Sequence, residues 1–161
     1  MKNKRMLYII LPIVIFALLW CFRSCGNADT LPDIQLDGNA VDWQGNQQLQ
    51  QPTQDIKGYA VTGFKSLVFT ADETTQKVNF VNPECNTEYL FKMSLLVDDR
   101  ILWESSGYCP AGQGYYTIDL SEPLPVGSYT GYLRIEVIST EGRQCNGAKV
   151  EFDLIVQEAT A

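Results

Sequence analysis

Alternation of apolar and polar residues at every second position is the feature that most restricts the fold of this chain. The alternation begins near Ile56 and continues almost to the last residue. In "GSYTGYLRIEVIS" (residues 127–139), for example, Tyr129, Leu133 and Ile135 occupy one face of the segment. Such a period of two is typical of strands that bury one face. Since no part of this region has the apolar stripe of a helix, the pattern predicts an all-β domain.

Seven segments have strand character, with turn residues such as Asn82-Pro83 and Asp98-Asp99 between them. Several short strands with regularly placed turns are typical of a sandwich of two antiparallel sheets. The sequence therefore predicts a seven-stranded Greek-key β-sandwich. The segments are residues 66–70, 77–81, 88–99, 101–105, 114–120, 127–139 and 148–157.

Composition argues against most catalytic functions. The chain has no histidine, which removes the usual general base near neutral pH and the Ser-His and Cys-His pairs. Cys109 and Ser106 lie among glycines in "ESSGYCPAGQG", yet neither has such a base, and the segment has no Gly-x-Ser-x-Gly motif. Cys-x-x-Cys spacing is absent as well. We therefore predict a non-enzymatic protein without catalytic residues, metal, cofactor or small-molecule substrate.

The net charge of −7 indicates which partners are unsuitable. An acidic surface repels the phosphates of nucleic acids, so no nucleic-acid partner is expected.

The N-terminus has the pattern of a membrane segment. An unbroken apolar run covers residues 6–22 and includes Trp20, a residue suited to the membrane interface. The basic residues before this run are Lys2, Lys4 and Arg5. Positive charges at this position favour a cytoplasmic N-terminus and an extracellular C-terminal domain. The prediction is a single-pass protein of the cell membrane.

Three outcomes are considered for this segment. A cleaved signal peptide would need small residues at the cut, and Gly26–Ala28 offers only a weak site. A lipoprotein would need a small residue in an apolar context before its cysteine, but Cys21 follows Trp20 and Cys25 follows Arg23-Ser24, so both fit badly. An uncleaved signal anchor is the preferred interpretation.

Residues 23–55 are predicted to form a polar stalk. The segment "QGNQQLQQPTQ" has six glutamines in eleven positions. A composition of this kind buries too little apolar surface to offset the entropy of ordering, so a flexible tether is expected. Leu36 and Trp43 are the apolar residues through which this tether would dock onto another surface. The β-sandwich domain would then occupy residues 56–161.

The phrase "LPVGSY" places Gly127 and Tyr129 at the start of the sixth predicted strand. It resembles the tyrosine corner of Greek-key sandwiches, in which the phenol bonds back to the main chain. An ordinary inward-facing tyrosine is the alternative. The whole region resembles fibronectin type III and related immunoglobulin-like modules.

A second resemblance covers roughly residues 30–157. The Asn82-Pro83 turn, the "PL..G.Y" corner and the final Asn-Gly-Ala strand resemble a group of small membrane-anchored or exported proteins of Gram-positive bacteria. The resemblance implies location and fold without an activity. This chain differs from the group in having Pro110-Ala111-Gly112 where Pro-Gly is common, and in its additional cysteines.

Cys85, Cys109 and Cys145 follow the second, fourth and sixth predicted strands, so all three are expected at one end of the sandwich. In a fibronectin-like topology the second and fifth strands are neighbours. The resemblance therefore implies a Cys85–Cys109 disulfide, with Cys109–Cys145 as the alternative.

Taken as a binding module, such a sandwich would use the loops at the cysteine end, residues 82–87, 107–113 and 140–147. The expected function is a membrane-anchored interaction or accessory module of the bacterial envelope with an unknown protein partner. A structural spacer or stabilising subunit of an envelope, conjugation or secretion assembly is the alternative. A thiol-dependent activity is a third, more remote one.

Overall fold

A computed structural model describes residues 33–44 and 58–159 of the chain. The described residues form eight strands and no helix, which confirms the all-β prediction. The strands are β1 (Val41–Asp42), β2 (Ser66–Thr70), β3 (Thr75–Val81), β4 (Tyr89–Val97), β5 (Arg100–Glu104), β6 (Gln113–Asp119), β7 (Gly127–Ser139) and β8 (Ala148–Gln157).

The strands form two sheets, as expected for a β-sandwich. One sheet has the order β1-β6-β3 and the other the order β2-β8-β7-β4-β5. Every pair of neighbouring strands is antiparallel except β2 and β8, which run parallel. The predicted strand segments correspond to β2 through β8, and β1 makes the observed number one larger than predicted.

The core lies between the inner faces of the two sheets. On β4, Phe91, Met93 and Leu95 are fully buried, as their alternation in the sequence requires. Phe80 of β3 faces them from the other sheet and is also fully buried. Burial of a side chain of this size contributes about 1.5–3 kcal/mol. Trp103 joins the two sheets, because its ring centroid lies 5.9 Å from that of Phe80.

Asp98 and Asp99 form the two-residue turn between β4 and β5. Their φ angles are 49° and 62°, so both residues adopt the left-handed conformation of a type I′ hairpin. Aspartate tolerates this conformation better than most residues. The two carboxylates therefore belong to the turn that connects the strands.

Tyr129 bonds back to the turn that precedes β7. Its hydroxyl donates a hydrogen bond of 2.9 Å to the carbonyl oxygen of Pro125. The ring passes over Gly127, where an added Cβ would lie 3.1 Å from a ring carbon. The absence of a side chain at Gly127 thus gives the phenol room to reach Pro125.

The predicted stalk includes a segment that packs on the sandwich. Residues 33–44, here called the N-terminal strap, belong to the same compact unit as the strands. Val41 and Asp42 pair with Gly114 and Gln113 of β6. Main-chain pairing and the buried Asp37 carboxylate therefore attach the strap to the domain.

The described ranges contain no helical segment with the length and hydropathy of a membrane span. The predicted membrane segment, residues 6–22, lies outside those ranges, and so do Lys2, Lys4, Arg5 and Trp20.

Candidate functional site

Four loops meet at one end of the sandwich, where the sequence places Cys85, Cys109 and Cys145. They are residues 58–60, 82–88, 105–113 and 140–147, and together they are called the loop pole. Main-chain hydrogen bonds connect the last three of them: Thr140 N donates to Glu88 O over 2.9 Å, and Gly112 N donates to Asn82 O over 2.8 Å. Loops joined in this way hold a defined shape at the end of a rigid scaffold.

Asn82 is the central side chain of the loop pole and is fully buried. Its amide nitrogen donates to the carbonyl oxygens of Tyr89 (3.0 Å) and Cys109 (2.9 Å). These carbonyls belong to two different segments, so one side chain fixes both of them to the end of β3. Asn82 of the predicted Asn82-Pro83 turn therefore stabilises the loop pole through its buried side-chain amide.

Asn86 extends the same network to a third loop. Its amide nitrogen donates to Asn82 Oδ1 and to Ala60 O, each over 2.8 Å. Ala60 N donates in return to Asn86 Oδ1, also over 2.8 Å. Pro83, which is buried, contributes its carbonyl oxygen as acceptor for Asn86 N (3.0 Å). The two asparagines thus connect residues 58–60 with the rest of the loop pole.

Asp37 attaches the N-terminal strap to the loop pole and is only 5% exposed. Its Oδ1 accepts hydrogen bonds from Asn39 N (2.8 Å) and Ser106 Oγ (2.9 Å). Its Oδ2 accepts from Ser106 N (2.9 Å) and from the Tyr115 hydroxyl (2.8 Å). Four donors surround one buried carboxylate, which therefore acts as a clasp between the strap, the 105–113 loop and β6.

The electrostatics of this clasp favour the ionised form of Asp37. Burial by itself raises the pKa of the carboxyl group, but the hydrogen bonds from Asn39, Tyr115 and Ser106 outweigh it and lower the pKa below its usual value. Tyr115 shows the reverse effect, since burial and its bond to Asp37 raise the pKa of the phenol. The pair is thus a carboxylate with a neutral phenol.

Gly107 permits the close approach of the N-terminal strap. A Cβ at this position would lie 2.6 Å from Gln35 O and 2.9 Å from Asp37 N. Both are main-chain atoms, so they could not move aside without moving the strap itself. Tyr108 next to Gly107 completes the contact, because its N–H donates to Gln35 O (2.9 Å) and its carbonyl accepts from Asp37 N (2.9 Å).

The structure forms no disulfide between the described cysteines, which are all free thiols. Neither the predicted Cys85–Cys109 bond nor the Cys109–Cys145 alternative is present. The physical reason is the orientation of the side chains. The main chain of Cys109 forms an antiparallel β-bridge with Phe91, and its side chain is buried in the core, whereas Cys85 is exposed on its loop. Cys145 lies half-buried in the 140–147 loop.

Cys109 is not suited to act as a nucleophile. Burial raises the pKa of its thiol to about 12. A main-chain hydrogen bond from Asn82 lowers this pKa, and the negative charge of Asp37 raises it. Reactive cysteines are thiolates in electropositive, accessible surroundings. Cys109 therefore acts as a small core residue.

We expect the thiols to differ strongly in reactivity. A small alkylating reagent at neutral pH should modify Cys85 in the native chain, with Cys109 modified at least about a thousandfold more slowly because it is protonated and buried. Site-resolved mass spectrometry over time measures both rates. Addition of denaturant should remove the difference, and rapid native modification of Cys109 would contradict the assignment.

Outside the loop pole, Trp43 of the strap stacks on Tyr116 of β6. The ring centroids lie 4.6 Å apart and the planes differ by 9°. Of the two residues proposed as contacts of the tether, Trp43 packs on the domain through this stacking, whereas the side chain of Leu36 is 54% exposed. Across residues 33–44 and 58–159, no three His, Cys, Asp or Glu side chains are arranged to hold a metal ion.

No sequence motif marks the residues that organise this end of the molecule. Asp37, Asn86 and Tyr115 are ordinary polar or aromatic residues far apart in the chain, and no local pattern marks them as partners.

A comparison with known protein families, curated proteins and solved structures found no match to this chain.

Proposed function

We propose that this chain is a non-enzymatic interaction module whose contact surface is the loop pole. The observation that carries the proposal is the buried pair Asn82 and Asn86, which holds three loops in one arrangement. Loops fixed before binding lose little conformational entropy when a partner docks. Antiparallel sandwiches present such loops at their ends, where sequence can vary without disturbing the core.

The fold that we propose for the module is an immunoglobulin-like Greek key. The separation of β6 and β3 from the β8-β7-β4-β5 sheet supports it, since these strands divide between the sheets as in fibronectin type III domains. The Tyr129–Pro125 hydrogen bond gives further support, because corner tyrosines of such sandwiches bond back to the main chain.

The location that we propose is the outer face of a bacterial cell membrane, with residues 6–22 as an uncleaved anchor. The apolar run after three positive charges supports this topology. It also supports a partner within the cell envelope, in line with the resemblance to anchored proteins of Gram-positive bacteria.

The side chains that would contact a partner include Glu84, Glu88 and Glu141, which are exposed on the loop pole. Because they lie on the surface, their replacement should alter recognition without loss of the fold. The control lies at the opposite end of β4, where the Asp98-Asp99 turn is also exposed and has two carboxylates.

The test uses the full chain with an affinity tag in its native cells, cross-linked before purification. We expect the variant with alanine at Glu84, Glu88 and Glu141 to lose at least about tenfold of the co-purified partner, a change of about 1.4 kcal/mol. The control with Asp98→Asn and Asp99→Gly should retain it. Retention of every partner by the loop-pole variant would overturn the proposal. The spacer function predicts that result, together with sensitivity to shortening of residues 45–57.

A further inference from the structure

The outer edge of β2 has main-chain groups that no described residue pairs with. β2 runs parallel to β8, where Asp153 N donates to Lys65 O (3.0 Å) and Ala71 N donates to Gln157 O (2.8 Å). In a parallel ladder, alternate residues bond to the same neighbour. Lys65, Leu67, Phe69 and Ala71 therefore face β8. The intervening residues direct their N–H and C=O groups away from the sheet.

The side chain of Gln76 caps the outward main-chain groups of Thr70, and two outward residues, Ser66 and Val68, stay uncapped. Its side-chain amide accepts from Thr70 N (2.9 Å) and donates to Thr70 O (2.8 Å), as a neighbouring strand would. Gln76 is itself buried, so this cap belongs to the fixed structure. Among the residues that the structure describes, none pairs with the outward groups of Ser66 and Val68, which form the open part of the edge.

The other edge strands have features that discourage pairing, and β2 has none. β1 is two residues long. β3 has Lys77 at a register shift, and β5 has Arg100 and Glu104 beside another shift. Charges, irregular register and short length are the usual protections of exposed edges. The strand "SLVFT" has no charge, no proline and no register shift.

An apolar pair on the outer face reaches the same edge. Val68 is 51% exposed, and its neighbour in register, Ile155 of β8, is 43% exposed. Leu67, on the opposite face of β2, is half-buried. The open edge therefore has apolar side chains on both of its faces.

We propose that two copies of this chain associate through antiparallel pairing of their β2 strands, about a two-fold axis at Leu67. Ser66 of each copy would then lie opposite Val68 of the other. Each of these pairs exchanges two hydrogen bonds, so four bonds form from groups that are open in one copy. The Gln76 cap selects this register, because an axis at Val68 would require the groups of Thr70 that Gln76 already occupies.

Charge and shape favour a second copy as the partner. The chain is acidic, with a net charge of −7, yet the seam contains no acidic side chain within either strand. Two copies therefore meet there without like charges opposite each other. Leu67 would contact its own equivalent, and Val68 and Ile155 of both copies would form one apolar cluster. The product is a continuous ten-stranded sheet.

The test is sedimentation of the full chain in mild detergent from about 1 µM to about 100 µM. We expect a concentration-dependent dimer that Val68→Pro and Val68→Lys each weaken by at least about tenfold. Proline removes an outward N–H without touching the bonds to β8 and is tolerated on edge strands. Ile101→Lys is the matched control, because Ile101 is 46% exposed on β5, the other edge of the same sheet.

Amide exchange supplies a second measurement, in which the amides of Ser66 and Val68 should exchange more slowly as concentration rises. A chain that stays monomeric throughout the range overturns the proposal. So does a dimer that survives both Val68 variants, or one that Ile101→Lys weakens equally. Slow exchange of these amides at every concentration would assign the edge to another segment of the same chain and would also overturn it. None of these results bears on the loop pole, so the two proposals fail independently.

Discussion

Replacement of Asn82 by alanine should lower the free energy of unfolding by about 3–5 kcal/mol. The substitution removes both amide donors: the Tyr89 carbonyl loses its bond from Asn82, and the Cys109 carbonyl keeps only the bond from Phe91 N (3.1 Å). It also removes the acceptor of Asn86, whose amide loses one of its two hydrogen bonds. A buried polar group that loses its partner costs about 1–3 kcal/mol, and here the Tyr89 carbonyl loses its partner while the Cys109 carbonyl and the Asn86 amide each lose one of two bonds.

The measurement for Asn82→Ala is equilibrium unfolding in urea, read as a shift of the midpoint at constant slope. Asn79→Ala is the matched control, because Asn79 lies on β3, the strand that leads to Asn82, is only partly buried and makes no side-chain hydrogen bond with the described residues. Its effect should stay within about 0.5 kcal/mol. Equal effects of the two substitutions would show that the buried amide network does not stabilise the loop pole.

The second large effect concerns Asp37. Its replacement by alanine should lower the free energy of unfolding at neutral pH by about 3 kcal/mol, because the buried hydroxyl of Tyr115 and two main-chain N–H groups lose a charged acceptor. The N-terminal strap should detach, which would expose Trp43. Urea unfolding and the fluorescence of Trp43 measure the two consequences.

The effect of Asp37 should also depend on pH. The pKa of Asp37 is lower in the folded chain than its reference value of 3.8. A lowered folded-state pKa means that the carboxylate stabilises the fold fully above the unfolded-state pKa and loses this contribution as pH falls through the folded-state value. The stability difference between wild type and Asp37→Ala should therefore be constant from about pH 5 to pH 8 and shrink below about pH 4.

Asp33→Ala is the charge-matched control for this series, because Asp33 lies in the same strap and is exposed. It removes the same charge and should change stability by less than about 0.5 kcal/mol at every pH. A difference between wild type and Asp37→Ala that grows in acid would contradict the ionised clasp.

The strands were predictable because their signal is local and repeated. In β7, for example, the alternation of Leu133, Ile135 and Val137 with polar residues determines which face is buried, and the structure has these three side chains in the core. β1 was missed because a two-residue strand has no period. Its two residues pair with Gly114 and Gln113 of β6, which are far away in the chain, and pairing over such a distance has no local sequence pattern.

The candidate site was only partly predictable, for the same reason. The three cysteines follow alternate strands, which is enough to place their loops at one end, and the loops are hydrogen-bonded to each other there. Side-chain direction is a finer property. The β-bridge between Cys109 and Phe91 turns the thiol into the core. Two of the partners of Asp37, Ser106 and Tyr115, are 69 and 78 residues away in the chain. Contacts over such separations depend on tertiary packing.

The Asp37 clasp also has a mechanical consequence. Tension applied to the chain before residue 33 reaches the domain at the strap, ahead of β2 and the core strands. The load falls together on the Asp37 carboxylate and on the main-chain bonds between Tyr108 and residues 35 and 37. These hydrogen bonds are loaded in parallel and must break together, so the strap withstands a larger force than one hydrogen bond alone would. The first structural loss under force would then be the strap, with the two-sheet core still intact behind it.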